Sequence, residues 1–423
     1  MKKKVSVEHL QEGMYIHDLN CGWVEHPFLS NRFLIMDQHA IEQIIELGIQ
    51  EVYIDTRKGL DVGVGQSIEH VNRELDATIE KVANGHLARN NDGPQETQTL
   101  AHQGFDKRPD PVEFKEEVGV ARRIRTEAND VVVHLLHDAR MGKRVEAERL
   151  EVVVEDMIGS IFRNQNALLS LGRIRHMDRY TFEHSVNVAA LLIAFAKTLD
   201  FDMATIRHIG TGALLHDLGK TRVPESILNK PDKLTNEEFI IMKRHVVYSY
   251  EILSRTPDIN EIALQVAAQH HERYDGTGYP HRLKGESISL FGQMAAIVDV
   301  YDAITSDRCY HKGEPPTVVL RKMLEWSKHH FEPILVQKFI QCVGIYPPGT
   351  MVRLKNDQLA IVLDINPQGL LNPVVKVIYD TRERSYIKPK VIDLSLPEND
   401  LYGVKSFEDH RDWGIPAENF IPR

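Results

Sequence analysis

Cysteine is scarce: three in 423 residues, Cys21, Cys309 and Cys342, scattered and without a Cys-x-x-Cys pair. Neither a disulfide framework nor a thiolate zinc site can therefore organise the chain, and the count fits a reducing compartment. Long hydrophobic runs are also missing. The longest purely apolar stretch, Val188 to Ala196, falls well short of the ~20 residues a membrane span needs. The basic start, Met1-Lys2-Lys3-Lys4-Val5, leads into Ser6, Glu8 and His9 instead of an apolar secretion segment. Net positive charge is lacking too, because 51 Lys and Arg face 61 Asp and Glu, a formal −10. Long nucleic acid and anionic membrane surfaces are thus poor partners on electrostatic grounds. A small anion could still bind where metal ions or a few basic residues reverse the sign locally. These absences together predict a soluble, cytoplasmic protein.

What is present suggests several units. Residues 1–82 read as a small mixed α/β module, with strand-like Met14-Tyr15-Ile16, Phe33-Leu34-Ile35 and Glu51 to Asp55 around a helical His39 to Leu47, and helical character again from Ile68 to Val82. Residues 83–111 form the best linker, rich in Asn, Gly, Gln and Thr and broken by Pro94, Pro109 and Pro111. Amphipathic spacing over 112–171 predicts long connecting helices, packed on their own domain, although one could also support a homodimer. From 172 to 345 nearly every segment carries the helical period. Residues 346–400 switch to short alternating stretches, as in a small β appendage, and 401–423 read as a loosely ordered polar tail. The expected class is multidomain: an all-α catalytic domain between a mixed α/β module and a β extension.

The helical region contains His184, the pair His216-Asp217, His245, the pair His270-His271, and Asp299. Alone, each has an ordinary structural explanation, but their settings are unusual. His184 precedes the apolar run of Val188 to Ala196. His216-Asp217 ends Ala213-Leu214-Leu215, and Asp299 closes Ala295-Ala296-Ile297-Val298. A carboxylate there is costly unless a cation or hydrogen bonds compensate. Five histidines and two aspartates suit two divalent ions such as Fe, Mn, Ni or Zn better than Mg or Ca. Asp217 could bridge such ions about 3.5–4 Å apart and clamp a hydroxide suited to phosphodiester hydrolysis. Lys220, three positions after Asp217, would project from the same face if the helix continues and could contact a phosphate. The other histidine pair, His329-His330, sits among Glu325, Lys328 and Phe331-Glu332-Pro333 and reads as a solvated helix end. Asp275-Gly276-Thr277-Gly278-Tyr279-Pro280 reads as a tight loop whose backbone can approach a ligand or partner closely.

These motifs, in this order, resemble the HD-GYP domain, a subgroup of the HD metal-dependent phosphohydrolases. The resemblance rests on His216-Asp217, on His270-His271-Glu272 with Asp275-Gly276-x-Gly278-Tyr279-Pro280, and on Asp299 with Asp302 and Ser306-Asp307-Arg308. It runs from about residue 180 to 343. Residues 1 to about 130 also look like the N-terminal module found on many bacterial HD-GYP proteins. The resemblance implies metal-dependent hydrolysis of cyclic di-GMP to pGpG, with GMP a further product in some members. It implies one ion, iron or manganese above nickel or zinc, held by His184, His216, Asp217 and Asp299. A second ion would share Asp217 with His245, His270 and His271. Lys220 corresponds to the family lysine near the scissile phosphate. Arg308 and Lys312 fall where the family contacts the other phosphate or guanine. The Gly278, Tyr279 and Pro280 loop resembles a segment linked to contacts with diguanylate cyclase domains. Members that bind a third metal carry Glu four residues before the first histidine, where this chain has Tyr180; adjacent Glu183 would point elsewhere on a helix.

Two other readings compete with this one. The chain could be a cyclic di-GMP sensor that acts through partner contacts with little turnover, which the complete ligand set disfavours. It could also be a phosphodiesterase for another cyclic dinucleotide: the Gly278, Tyr279 and Pro280 loop argues for cyclic di-GMP, but base identity is not written in these motifs.

Overall fold

The computed structural model describes residues 1–21, 32–85, 109–144, 147–172, 180–230, 234–307, 313–366 and 369–420. Its N-terminal part is an antiparallel sheet of β1 (Lys2–Ser6), β2 (Tyr15–Asp18), β3 (Phe33–Leu34), β4 (Glu51–Asp55) and β5 (Gln66–Ser67), in the order β3-β2-β4-β1-β5. One helix, α1 (Gln38–Glu46), covers it. Asp37 caps α1 by accepting the Ala40 N–H at 2.9 Å. Ile41 and Ile44 bury against Val5, Ile16, Val52 and Ile54 of the sheet. The helix stops at Gly48, whose φ of +73° is the left-handed conformation that glycine adopts without Cβ strain.

The helical body contains α2 (Ile68–Ala83), α3 (Phe114–Arg140), α4 (Ala147–Leu171), α5 (Tyr180–Thr198), α6 (Met203–Leu215), α7 (Glu225–Leu228), α8 (Asn236–Leu253), α9 (Glu261–Gln269), α10 (Leu290–Thr305), α11 (Pro316–Trp326) and α12 (Pro333–Val343). Helix α5 is apolar around its circumference from Val188 to Ala196 and is buried there, the pattern of a central helix wrapped by others. Helices α3, α4, α6, α10 and α12 surround it. Helix α4 is interrupted at Asn164, where φ is −160°. The Asn164 side chain donates to Val112 O at 3.0 Å and accepts the Ala167 N–H, so it restarts the helix as a cap would. Among the described residues, no helix is long and apolar enough to cross a membrane.

Two expectations of organisation change here. Helix α2, grouped by sequence with residues 1–82, places Val71, Leu75, Val82 and Ala83 in the core of the helical body. Its amphipathic face needed an apolar partner, and α11 and α12 supply one. The polar tail is also partly built in: β10 (Val404–Glu408) pairs with β6 (Met351–Leu354), and Ile415 lies buried in the helical core. Arg411 anchors that end through Asp307, 2.7 Å from its Nη1. Together with β7 (Gln358–Asp364), β8 (Val374–Asp380) and β9 (Ser385–Asp393), these strands form an antiparallel sheet in the order β10-β6-β7-β8-β9. Period-two alternation sorts its faces. Leu359, Ile361 and Ile378 turn to the helical body, while Ala360, Val362, Val375 and Val377 form a separate cluster.

The N-terminal sheet docks on the end of α11 through polar groups. Lys4, almost fully buried, places Nζ 2.9 Å from Glu325 Oε1 and 2.5 Å from Glu51 Oε2. Tyr53 OH donates to Glu325 Oε1 at 2.8 Å and Asn20 Nδ2 does so at 3.1 Å. Trp326 Nε1 returns a hydrogen bond to Asn20 Oδ1 at 3.1 Å. Breaking one side of a buried pair of this kind costs about 3–5 kcal/mol, because the remaining charge stays desolvated. His330 departs from the solvated position expected for it: its side chain is buried and only His329 is substantially exposed. The turn after Trp326 folds under the loop that follows α9, where the His330 carbonyl accepts the Tyr274 N–H.

Candidate metal centre

Five helices bring the seven proposed ligands to one place. His184 lies in the first turns of α5, one turn before its buried apolar run. His216 is the C-cap of α6 and Asp217 follows it; His270 is the C-cap of α9 and His271 follows that. His245 comes from α8 and Asp299 from α10. Gly219 makes the approach of α8 possible, since a Cβ there would fall 2.0 Å from the His245 carbonyl oxygen. Ser249, fully buried one turn beyond His245, donates to His216 O at 2.7 Å and accepts the Gly219 N–H at 2.8 Å. The turn carrying His216 and Asp217 is thereby pinned to the helix carrying His245.

The imidazoles are oriented before any ligand arrives. Nδ1 of His216 donates to Ala213 O at 2.7 Å, His245 to Met242 O at 2.6 Å and His270 to Ala267 O at 2.9 Å. A carbonyl can only accept, so each Nδ1 carries the proton and each Nε2 presents a lone pair. Those three Nε2 atoms and Asp217 Oδ1 are buried without a hydrogen-bond partner. They also face one another as acceptors: His245 Nε2 lies 3.4 Å from Asp217 Oδ1, and His216 Nε2 lies 3.3 Å from Asp217 Oδ2. Converging, unsatisfied acceptors are unfavourable unless a cation joins them. The donor set therefore fits divalent transition metals.

Asp217 looks both ways. Oδ2 faces His216 and His184, at 3.3 and 3.9 Å, whereas Oδ1 faces His245 and His270, at 3.4 and 4.0 Å. Three overlapping sets have ligand atoms close enough to share an ion: His184, His216 and Asp299; His216, Asp217 and His270; and His245, His270 and His271. Burial lowers the pKa of His245 to about 4 and of His270 to about 3, and it also depresses that of His271. All three are neutral at pH 7, the state a metal requires. His184 is different. Burial lowers its pKa, but hydrogen bonds to Asp299 and Asp302 outweigh burial and leave it raised. Asp217 resists the upward push of burial chiefly through Lys220, and Asp299 does so mainly through His184; both carboxyls stay below their ordinary range.

The supporting residues were less visible in sequence. Asp302 Oδ2 lies 2.7 Å from His184 Nδ1, while His184 Nε2 lies 3.0 Å from Asp299 Oδ1. Asp302 thus orients the imidazole, the usual task of a carboxylate behind a metal-binding histidine; its i, i+3 spacing from Asp299 was the available signal. Lys220 does not continue α6. It lies in a short 3-10 helix, Leu218–Arg222, and its Nζ is 2.5 Å from Asp217 Oδ2. Glu183 turns away from the cluster toward Arg125, 3.5 Å from its Nη2. Arg308 and Lys312 lie outside the described residues, as does the side chain of Tyr180.

The loop holding Gly278, Tyr279 and Pro280 borders the cluster. The Tyr279 ring stacks on His271 with centroids 4.7 Å apart, and Lys243 on α8 places its ammonium over Phe239 and Tyr279. Glu272, buried, closes the loop by accepting the His281 and Leu283 N–H groups at 2.8 and 3.0 Å.

The family described as HD domain matches residues 161–335, and a domain of unknown function (DUF3391) matches residues 2–150. A Pseudomonas aeruginosa protein named a cyclic di-GMP phosphodiesterase is 37% identical over 395 residues, covering 93% of this chain and 89% of the relative. A Vibrio cholerae protein also named a cyclic di-GMP phosphodiesterase is 41% identical over 218 residues, which is 46% of this chain and 44% of the relative. A second Vibrio cholerae protein, named a 3'3'-cGAMP-specific phosphodiesterase, is 34% identical over 44% of this chain and 38% of its own length. With similarity along nearly the whole chain added to the histidine and aspartate cluster, the protein belongs to the HD-GYP family of metal-dependent phosphodiesterases.

Proposed function

We propose that this chain hydrolyses cyclic di-GMP to linear pGpG at the His/Asp cluster. The observation that carries the reading is the set of buried, pre-oriented Nε2 lone pairs of His216, His245 and His270, arranged around the two oxygens of Asp217. In this reading His184, His216, Asp217 and Asp299 hold one divalent ion, and Asp217, His245, His270 and His271 hold a second. Iron and manganese suit the mixed imidazole and carboxylate donors. Such a pair of ions, when bound, supplies an activated water at neutral pH and positive charge for phosphoryl oxygens.

The protein's own part is to position groups and to set the charge. Two carboxylates leave two units of the ions' charge unbalanced, which matches the two phosphodiester groups of a cyclic dinucleotide. Lys220, whose Nζ lies 2.5 Å from Asp217 Oδ2, is placed to meet a nonbridging phosphate oxygen. Arg308 and Lys312 complete the substrate contacts. The Gly278, Tyr279 and Pro280 loop offers a docking edge for diguanylate cyclase domains, and a cytoplasmic setting accords with the scarcity of cysteine.

The test is anaerobic purification with metal analysis, then incubation with cyclic di-GMP and chromatography of products, beside Asp217→Asn. About two ions per chain and pGpG formation, both lost in the variant, are expected. Bound metal with cyclic di-GMP intact but 3'3'-cGAMP cleaved would move the substrate assignment. Neither metal nor turnover after reconstitution with iron or manganese would overturn the reading.

A further inference from the structure

The loop that follows α9 is gripped from two sides. On the inside, the Tyr279 ring lies on His271 and the Tyr279 N–H donates to the His271 carbonyl at 3.1 Å. On the outside, Gly48 of the N-terminal module meets Thr277 so closely that a Cβ on Gly48 would fall 2.5 Å from Thr277 Cβ. The module and the loop are therefore in close contact at Gly48 and Thr277. The loop is also cross-linked within itself. Glu272 holds residues 281 and 283, and Tyr274 O accepts the Gly285 N–H at 2.8 Å, so Thr277 and Tyr279 lie within one cross-linked loop.

A second path leads from the same module to the same loop. Tyr274 N–H donates to His330 O at 2.9 Å, and the turn bearing His330 begins at Trp326. Glu325 and Trp326 are the residues held by Lys4, Tyr53 and Asn20. His329 Nε2 adds a contact 3.7 Å from Glu51 Oε2. An apolar junction would have served for adhesion alone. A buried, multiply hydrogen-bonded carboxylate instead fixes orientation, because its partners are satisfied in one arrangement only.

We propose that Lys4 and Glu325 are positioning residues for the metal centre: through the turn at His330 and the Gly48–Thr277 contact, they hold the 272–285 loop so that Tyr279 keeps His271 in its ligand orientation. The N-terminal module thereby sets the efficiency of a site to which it lends no ligand. The inference rests on the proposed phosphodiesterase reading for its catalytic consequence, but its structural half can be read without turnover.

The experiment is amide hydrogen exchange by mass spectrometry on the full-length chain, comparing wild type with Glu325→Gln and the milder Tyr53→Phe. Exchange in peptides covering 272–285 should rise about tenfold in Glu325→Gln and less in Tyr53→Phe, with α5 and α6 unchanged. kcat/KM for cyclic di-GMP should fall in the same order at constant metal content. If Glu325→Gln also loosens α5 and α6, the milder variant decides. Faster exchange in residues 1–55 with 272–285 unaffected would overturn the proposal. Loop exchange that rises as expected in a protein without turnover would count against the substrate reading and leave the positioning role standing.

Discussion

The Ser249 hydroxyl donates to the carbonyl of His216 and receives the N–H of Gly219, so the ligand pair His216-Asp217 is locked to the helix that presents His245. Ser249→Ala leaves both backbone groups buried without a partner. A loss of about 1–3 kcal/mol in urea unfolding is expected, together with weaker metal retention on dialysis. Unchanged stability and metal content would show that the turn holds its place without the hydroxyl.

Asp302 is expected to matter through His184 and not through direct ligation. Asp302→Ala should lower metal affinity by about 10–100-fold, the range found for carboxylates behind metal-binding histidines. Asp302→Asn, which retains an acceptor oxygen, should lose less. Competition with a chelating dye measures both, and equal affinity in all three proteins would rule out the orienting role.

Metal removal should be visible in stability. With free ion at about 100 times its Kd, binding to the folded state adds about 2.7 kcal/mol. The melting temperature should therefore fall on chelation and recover with manganese. In Asp217→Asn the two curves should coincide, since both proposed ions need that carboxylate.

Acid should destabilise the metal-free protein, and His330 should contribute. Burial first, then the charges of Arg273 and His329, hold its pKa well below the ordinary 6.5. The folded state consequently binds fewer protons than the unfolded chain. This contribution is complete above the unfolded value of about 6.5 and is lost as the pH falls from there through the folded value. His330→Gln, compared with wild type in chelator, should show a shallower decline in unfolding free energy between pH 6.5 and 5.5. The difference should be about 1 kcal/mol over that interval.

The sequence exposes those parts of the centre that are local. His184, His216 and Asp299 each adjoin an apolar stretch, and the cost of burying such groups is evident from their neighbours alone. The i−3 carbonyls that orient His216, His245 and His270 follow from the helical positions of these residues, but that effect needs the backbone to be seen. Ser249 escaped, and Asp302 was noted as part of a motif without its role behind His184, because both roles arise when separate helices meet. Strand β9 carries the weakest local signal of the appendage: it is exposed over most of its length and contains Pro389, so its composition is that of an edge strand with little apolar content. His330 was misread because its neighbours are charged, and its burial is supplied by the loop containing Tyr274.

The grip on Glu325 also constrains the order in which this protein is made. Tyr53 and Glu325 are separated by 272 residues, so at about 5–20 residues per second the ribosome needs roughly 15–55 s to deliver the acceptor after the donor. During that interval the nascent N-terminal module can complete its own small core while Lys4 and Tyr53 remain hydrated. A polar docking face suits such a wait better than an apolar one, which would be open to aggregation until synthesis reached α11.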